Sequence, residues 1–222
     1  MKLDWFVPAA APLVPRLARA YRIECRVAAS DVVVTFDDGP HPEGTPAVLE
    51  TLAARDATAT FFLVGEQVRK HASVARAIVD GGHEVALHGD RHTLLLRRSV
   101  RELEQDLRRA AATIEDTTGQ ALTLYRPPYG VFSSGALALV RRLGYRPLLW
   151  STWGRDWERR ATPASIARRA TSGLRAGDVV LLHDSDAYSS DGSWRRTAAA
   201  LPSVLDAVAT LGCSAVAVTQ ST

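Results

Sequence analysis

The chain reads VVVTFDDGP over residues 32–40. The first part of this stretch, Val32–Phe36, is continuously apolar or β-branched, which is typical of a strand covered on both faces of a parallel sheet. Similar runs recur along the chain, and a segment with helical features separates each from the next. They lie at Thr58–Val64, Glu84–His88, Leu122–Arg126, Arg146–Thr152, Asp178–His183 and Ala215–Thr219. Seven such units without a linker predict one α/β domain, folded either as a barrel or as an open doubly wound sheet.

Capping signals predict where several helices begin and end. Thr45 and Thr162 each stand directly before a proline, an arrangement that favours a helix start. Ser99 and Glu102 have the spacing of a capping box. The segment Gln67–Asp80, which two glycines follow, is predicted to be one helix.

The composition is that of a soluble globular protein. With 222 residues, 46% of them hydrophobic and 23% charged, the chain can bury a sizeable core as one domain. A net charge of +3 without a basic run interleaved with aromatic residues gives no sign of nucleic-acid binding. No apolar run has the length of a membrane span, and residues 5–18, which prolines interrupt, fit a signal peptide poorly. We expect a soluble monomer with no transmembrane segment, either cytoplasmic or secreted with its leader absent from this sequence.

Polar side chains follow five of the predicted strands. They are Asp37 and Asp38 after the first strand, His88 and His92 at the third, Arg126 at the fourth, Asp156 after the fifth and His183 at the end of the sixth. Parallel α/β folds place function at the carboxyl ends of their strands. These side chains are therefore expected on one face of the sheet in either topology.

Each motif has a plain structural interpretation beside a functional one. His88 and His92 could be solvent-facing loop residues, but with one aspartate they give a set that binds a divalent ion and leaves positions open. Zinc is the first expectation for a hydrolytic site of this kind, with cobalt, iron or nickel as alternatives. Asp37 and Asp38 could be turn residues before Gly-Pro, or one could bind the metal while the other acts as a base.

Arg126 and His183 are open to the same two kinds of interpretation. Arg126 would either pair with a catalytic carboxylate and keep it ionised, or form a surface salt bridge. His183 ends an apolar strand, where a histidine can simply belong to the core. The residues alone leave both alternatives open.

Together, the motifs resemble those of polysaccharide deacetylases with a NodB-type domain, the fourth family of carbohydrate esterases. The matching motifs are Thr-Phe-Asp-Asp-Gly-Pro at 35–40, His-x-x-x-His at 88–92, Arg-Pro-Pro-Tyr-Gly at 126–130, Asp-Trp at 156–157 and Leu-x-His at 181–183. The resemblance covers roughly residues 30–220. It implies a distorted (β/α)7 barrel as a single domain, with residues 1–30 as an N-terminal extension and 31–222 as the catalytic domain. It also implies a metal-dependent hydrolase that removes N-acetyl groups from the amino sugars of a polysaccharide or oligosaccharide.

The resemblance implies a role for each matching residue. The metal ligands would be Asp38, His88 and His92, the general base Asp37 with Arg126 as its partner, and the general acid His183 with Asp156 as its partner. The substrate-binding groups would be Trp157 and Leu181, around the acetyl methyl group, and the backbone N–H of Tyr129, at the oxyanion.

Two positions depart from the family's pattern. Gly89 stands where the family usually has a serine or threonine whose hydroxyl braces the metal loop, and Trp153 stands where it usually has an aspartate. The extra indole predicts either a more aromatic substrate face or core packing. Two other functions stay open, namely deacylation of a small, lipid-linked or secondary-metabolite amino sugar, and a non-catalytic carbohydrate-binding domain.

Overall fold

The computed structural model describes residues 15–221, and its strands form one curled sheet in which each pairing between strands is parallel. The strands are β1 (Val32–Asp37), β2 (Thr60–Val64), β3 (Glu84–Gly89), β4 (Leu124–Tyr125), β5 (Arg146–Pro147), β6 (Thr152–Trp153), β7 (Val179–His183) and β8 (Ala215–Val216). Their spatial order is β5-β4-β3-β2-β1-β7-β6, and β8 pairs with the start of β1. The predicted open doubly wound sheet is therefore excluded.

The fifth predicted strand, Arg146–Thr152, is wrong as a single strand. Its first part is β5, which pairs with β4, and its last residue belongs to β6, which pairs with β7. Between them, Leu149 donates its N–H to the carbonyl of Glu24 at 2.8 Å, and the N–H of Glu24 bonds to Pro147 at 3.2 Å. The backbone thus leaves one edge of the sheet and joins the other, and it spans the gap between the edge strands β5 and β6 of the distorted (β/α)7 barrel.

Eight helices of the described chain surround the sheet. They are α1 (Pro15–Ala20), α2 (Gly44–Ala53), α3 (Gly65–Lys70), α4 (Ala72–Asp80), α5 (Val100–Thr118), α6 (Ser134–Arg142), α7 (Pro163–Thr171) and α8 (Ser193–Thr210). Short 3-10 turns occupy Leu95–Arg97, Pro128–Gly130 and Val218–Gln220. The strands β1, β2 and β3 are buried on both faces, as their apolar sequences predict, and one core cluster runs through the domain.

Two of the capping predictions are confirmed, and two helix predictions are wrong. Ser99 and Thr162 both cap their helices, each within a capping box. Thr45 is not a cap, because α2 begins before it and its hydroxyl instead contacts the buried carboxyl group of Asp184. The predicted helix Gln67–Asp80 is interrupted at His71, whose backbone leaves the helical region and separates α3 from α4.

The chain ahead of β1 packs on the barrel. Ala18 and Ile23 are buried in the core cluster, and Glu24 pairs with the segment between β5 and β6. Residues 1–14 and 222 lie outside the described residues, and most of the segment 5–18 falls among them, so the expectation for that segment stays a prediction. The domain boundary at residue 30 also stays a prediction. Within residues 15–221, no helix combines the length and the hydropathy that crossing a bilayer requires.

Candidate active site

The strand ends bring the polar motifs together. Asp37 is the last residue of β1 and lies beside His183, the last residue of β7, in the pairing of these two strands. His88 lies at the end of β3, and Arg126 follows β4 directly. Asp38, one residue past β1, has a φ of 79°, so its side chain departs from the alternation of the strand.

Asp38 lies close to both histidines of the His-x-x-x-His motif. Its Oδ1 is 3.4 Å from Nε2 of His88 and 3.2 Å from Nε2 of His92. One potential ligand atom from each residue lies within 4.8 Å of the other two. At most 6% of each side chain is exposed. The three predicted ligands therefore surround one small, shielded space.

Neighbouring groups fix the orientation of both imidazoles. Nδ1 of His88 lies 2.8 Å from the carbonyl oxygen of Arg126, and because a carbonyl only accepts, Nδ1 carries a hydrogen and Nε2 is the ring nitrogen that faces Asp38. His92 stacks on Tyr188 with ring centres 4.4 Å apart, and the ring of Tyr129 meets it at 4.6 Å. Burial lowers the pKa of His92 to about 4 in spite of the nearby carboxylates, so its imidazole is neutral at pH 7.

The donor set fits a divalent cation. Oδ1 of Asp38 is buried and lacks a hydrogen-bond partner among residues 15–221. Burial acts to raise the pKa of Asp38, but the imidazoles of His88, His183 and His92 outweigh it and lower the pKa to about 2. One carboxylate oxygen and two imidazole nitrogens are ligands that zinc and related ions accept, and three protein ligands leave positions open.

Arg126 is completely buried and binds Asp37. Its Nη1 donates to Oδ1 of Asp37 at 2.6 Å and to the hydroxyl of Thr35 at 2.8 Å. Its Nε and Nη2 donate to the carbonyl oxygens of Leu148 and Leu149 at 3.1 and 2.9 Å. The guanidinium offsets the burial of the negative charge on Asp37. The alternative of a surface salt bridge is therefore wrong.

His183 lines the cavity and is held by Asp156. Its Nδ1 lies 2.9 Å from Oδ1 of Asp156, and its backbone N–H donates to Oδ2 at 2.7 Å. The hydroxyl of Thr197 also donates to Oδ2, at 2.7 Å. Burial on its own would lower the pKa of His183, but the charge and hydrogen bond of Asp156 raise it to about 10. Sequence reasoning misses Thr197, because nothing in α8 marks one of its polar residues as a partner of this loop.

A cavity of about 220 Å³ opens between these groups. Its polar side is formed by Asp37, by His183 and by the three candidate metal ligands Asp38, His88 and His92, called here the cluster around Asp38. Its apolar side is formed by Leu181 and by the indoles of Trp150, Trp153 and Trp157. The predicted Leu181 and Trp157 thus line the same cavity as the predicted acid and base.

Two tyrosines bound the cavity beside the histidines. Tyr129 is 58% exposed at the rim and has a φ of 61°, so its backbone is in the left-handed region. The hydroxyl of Tyr188 contacts Glu66 and accepts a hydrogen bond from Gln67 at 2.9 Å. Sequence reasoning selects Tyr129 but misses Tyr188, because the loop that carries it contains no motif.

The loop between the two histidines has a brace that the sequence did not reveal. Gly89 has a φ of 109°, a conformation that favours glycine. Asp106 of α5 accepts the N–H of Asp90 at 2.8 Å and a hydrogen bond from Arg98 at 2.9 Å. The Asp90 carboxylate in turn pairs with Arg69 at 2.7 Å. Buried carboxylates therefore hold this loop without a hydroxyl group at position 89.

A parallel barrel whose polar cavity lies at the carboxyl ends of its strands has the organisation of a barrel enzyme. The chain belongs to the polysaccharide deacetylase family, whose model matches residues 26–148. The predicted family and the predicted barrel are both confirmed.

The relatives include carbohydrate deacetylases. A chitooligosaccharide deacetylase from Azorhizobium caulinodans is 36% identical over 156 residues, which make up 70% of this chain and 74% of that protein. The Bc1960 peptidoglycan N-acetylglucosamine deacetylase has a TM-score of 0.82 at 25% identity, over 90% of this chain and 91% of that one. A CE4 family pseudoenzyme from Bacillus anthracis has a TM-score of 0.78 at 26% identity, over 87% of this chain and 66% of that one. Because the fold occurs with and without activity, function has to be argued from individual residues.

Proposed function

We propose that this protein is a metal-dependent deacetylase that hydrolyses the N-acetyl groups of amino sugars in a polysaccharide or oligosaccharide. The main support is that one cavity is lined by the carboxylate of Asp37, the imidazole of His183 and the cluster around Asp38. The substrates of the relatives, chitooligosaccharides and peptidoglycan, support the choice of sugar.

Asp38, His88 and His92 would hold the metal, with zinc as the first expectation and cobalt, nickel or iron(II) as alternatives. A divalent ion at such a site lowers the pKa of a water molecule from 15.7 to about 7 and polarises the carbonyl group of the substrate. The roles of His88 and His92 require neutral imidazoles, which agrees with the buried, low-pKa state of His92.

Asp37 and His183 would transfer the protons. Asp37 takes a proton from the attacking water, and the buried guanidinium of Arg126 keeps its carboxylate in position. An amine is a poor leaving group, so His183 must protonate the nitrogen as the C–N bond breaks. Asp156 keeps His183 in the protonated form at neutral pH. Base and acid end neighbouring strands and can therefore act on one amide from two sides.

The remaining groups would bind the acetyl group. The backbone N–H of Tyr129 would donate to the oxyanion, a contribution whose loss typically raises the barrier by about 3 kcal/mol. Trp157 and Leu181 would contact the methyl group, because both belong to the apolar side of the cavity next to His183.

Acetate release from N-acetylglucosamine oligomers tests the proposal. A chelator should abolish release by the parent protein, and zinc should restore it. Asp37→Asn and His183→Ala should each lower kcat/KM at least about 100-fold, because each removes one proton-transfer group. Asp206→Asn and His71→Ala change the same residue types outside the cavity and should keep the parent rate. Acetate release at the parent rate by the Asp37 or His183 variant would contradict the mechanism.

A second candidate is deacylation of a small, lipid-linked or secondary-metabolite N-acyl amino sugar. It is favoured by Trp153, an indole in the cavity where the family usually has an acid. Mass spectrometry of a panel of acylated sugars separates the two candidates, and activity confined to long oligomers would argue against this one. Binding of metal and saccharide without any turnover would instead indicate a non-catalytic carbohydrate-binding domain.

A further inference from the structure

We propose that Trp153 limits the length of the acyl group that this protein removes, by forming a rigid wall at the acyl end of the cavity. The inference rests on the proposed function and adds a specificity-determining residue to it. Of the two interpretations of this indole, a more aromatic substrate face and core packing, the proposal takes the first, because Trp153 would contact the substrate.

The strand register puts Trp153 beside the groups expected to contact the acyl chain. In the parallel pairing of β6 with β7, Trp153 lies opposite Leu181, and Leu181 lies opposite Thr35 of β1. Side chains at paired positions of neighbouring strands point to the same face of a sheet. His183, two residues after Leu181, points to that face as well. Trp153 therefore lies on β6, next to the β7 strand that carries His183, and on the same face of the sheet as His183. It is level with Leu181, two residues before His183 along the strand direction.

Contacts between rings extend this wall. The ring of Trp153 lies 5.5 Å from the ring of Trp157, which in turn lies 5.3 Å from the imidazole of His183. Trp150 flanks Trp153 on its other side at 5.6 Å. The three indoles therefore form a continuous apolar wall that begins 5.3 Å from the imidazole of His183.

The depth of the cavity decides which end of the substrate meets this wall. Trp150 and Leu181 are almost buried, at 8% and 3% exposure, Trp153 is half-buried, and Tyr129 at the rim is 58% exposed. The sugar carries hydroxyl groups that need water or polar partners, and a polymer has to leave the cavity at the rim. The acyl group is the small apolar end and belongs at the deep apolar wall. Trp153 is half-buried and is paired with Leu181 at this wall, and on that pairing we assign it to the acyl chain.

A residue can select by size only if it cannot retract. The hydroxyl of Thr152 donates to the carbonyl of Ala170 at 2.9 Å, and the N–H of Gly154 donates to the carbonyl of Leu181 at 3.1 Å. A Cβ at Gly154 would lie 2.7 Å from Leu182 and 2.8 Å from a methyl group of Ile166. The backbone on both sides of the indole is thus pressed against β7 and α7, with no space to move outward.

The test compares acyl groups on one sugar. N-acetylglucosamine oligomers are prepared with N-acetyl, N-propanoyl or N-butanoyl groups, and kcat/KM is measured from the carboxylate released by the parent, Trp153→Ala and Trp153→Phe. One methylene in an apolar pocket changes discrimination by about 10-fold or more. The butanoyl-to-acetyl ratio of kcat/KM should therefore rise at least 10-fold in Trp153→Ala and less in Trp153→Phe, which keeps a smaller ring. Tyr129→Ala should weaken binding of all three substrates and leave the ratio as in the parent.

The outcomes separate this inference from the proposed function. If the parent releases acetate but the ratio stays within twofold in both Trp153 variants, the indole only fills the core and this inference alone is overturned. If KM rises equally for all acyl groups and more for longer oligomers, Trp153 contacts the sugar and the inference is again overturned. If the parent releases no carboxylate from any substrate, the proposed function fails and the inference fails with it. Should Trp153→Ala not fold, the shift in Trp153→Phe decides.

Discussion

Asp156 controls the protonation of His183. Burial on its own would lower the pKa of this histidine, but the charge and hydrogen bond of Asp156, with Asp38 and Asp37 nearby, raise it to about 10. The protonated form that the proposed mechanism needs is therefore present at neutral pH and is lost as the pH rises through about 10. In Asp156→Asn the attraction of Asp156 is removed while burial remains, so the pKa of His183 should fall well below its value in the parent, with Asp38 and Asp37 still acting to raise it.

The measurable result is a shift in the pH dependence of kcat/KM. The alkaline limb, expected near pH 10 in the parent, should move down by at least about 1 pH unit in Asp156→Asn. Rates of acetate release measured between about pH 5 and pH 11 give the pH at which kcat/KM falls on the alkaline side. In the control variant Asp206→Asn, this pH should be the same as in the parent. A limb that does not move would show that His183 is not the proton donor.

The buried pair of Arg126 and Asp37 couples stability to the catalytic base. Removing one member of a buried ion pair leaves the other charge without compensation, which typically destabilises a protein by about 3–5 kcal/mol. Arg126→Met should lower the free energy of unfolding by about 3 kcal/mol, and Asp37→Asn should then destabilise the Arg126→Met variant less than it destabilises the parent. Urea unfolding of the parent, both single variants and the double variant measures this difference. Effects that add within about 0.5 kcal/mol would show that the two side chains are not coupled.

The loop after β3 depends on α5 for its shape. Asp106 accepts the N–H of Asp90 at 2.8 Å, directly after Gly89 with its φ of 109°. This bond fixes the backbone between His88 and His92, and groups that orient metal ligands typically change affinity about 10- to 100-fold when they are removed. Asp106→Ala should therefore weaken zinc binding by at least about 10-fold.

Competition with a chromogenic chelator gives the zinc dissociation constant directly, without any substrate. Asp116→Asn, an exposed acidic residue of the same helix, is the matched control and should keep the parent affinity. Unchanged zinc affinity in Asp106→Ala would show that the loop keeps its shape without the brace.

Strand ends were the most predictable part of the site. Asp37, His88 and His183 each follow an uninterrupted apolar run, and in a parallel sheet such runs end at one face. Thr45 shows where local patterns fail. Its sequence is that of a helix cap, but packing offers its hydroxyl the buried carboxyl group of Asp184, a residue 139 positions away. A buried polar partner outweighs a capping preference that is worth about 1 kcal/mol.

Other parts of the site could not be predicted because they depend on tertiary packing. Trp150 reaches the cavity through the break between β5 and β6, where the apolar run of residues 146–152 predicted an unbroken strand. That break exists because Glu24 takes the backbone hydrogen bonds that a neighbouring strand would otherwise use. Tyr188 stacks on His92 from a loop without regular structure. No pattern within either segment contains that information.

Closure of the barrel makes one site from distant parts of the chain. Arg126 follows β4, the second strand from one edge of the sheet, and His183 ends β7, the second strand from the other edge. In an open sheet these two residues would lie on opposite sides of the molecule. The chain from β5 to β6 joins the two edges, and Asp37 at the end of β1 then lies between its arginine and the histidine.

The same convergence predicts that metal stabilises the whole molecule. The three candidate ligands are close only in the folded chain, because Asp38 is 50 positions from His88 and 54 from His92. An ion that binds only the native state adds about 2.7 kcal/mol at a free concentration 100 times its dissociation constant. For a chain of this length, that corresponds to a rise in melting temperature of about 5–10 °C over the chelated protein. Thermal unfolding followed by circular dichroism measures the rise, and His92→Ala, which removes one ligand, should lose most of it. An equal rise in that variant would place the ion elsewhere in the protein and contradict the cluster around Asp38.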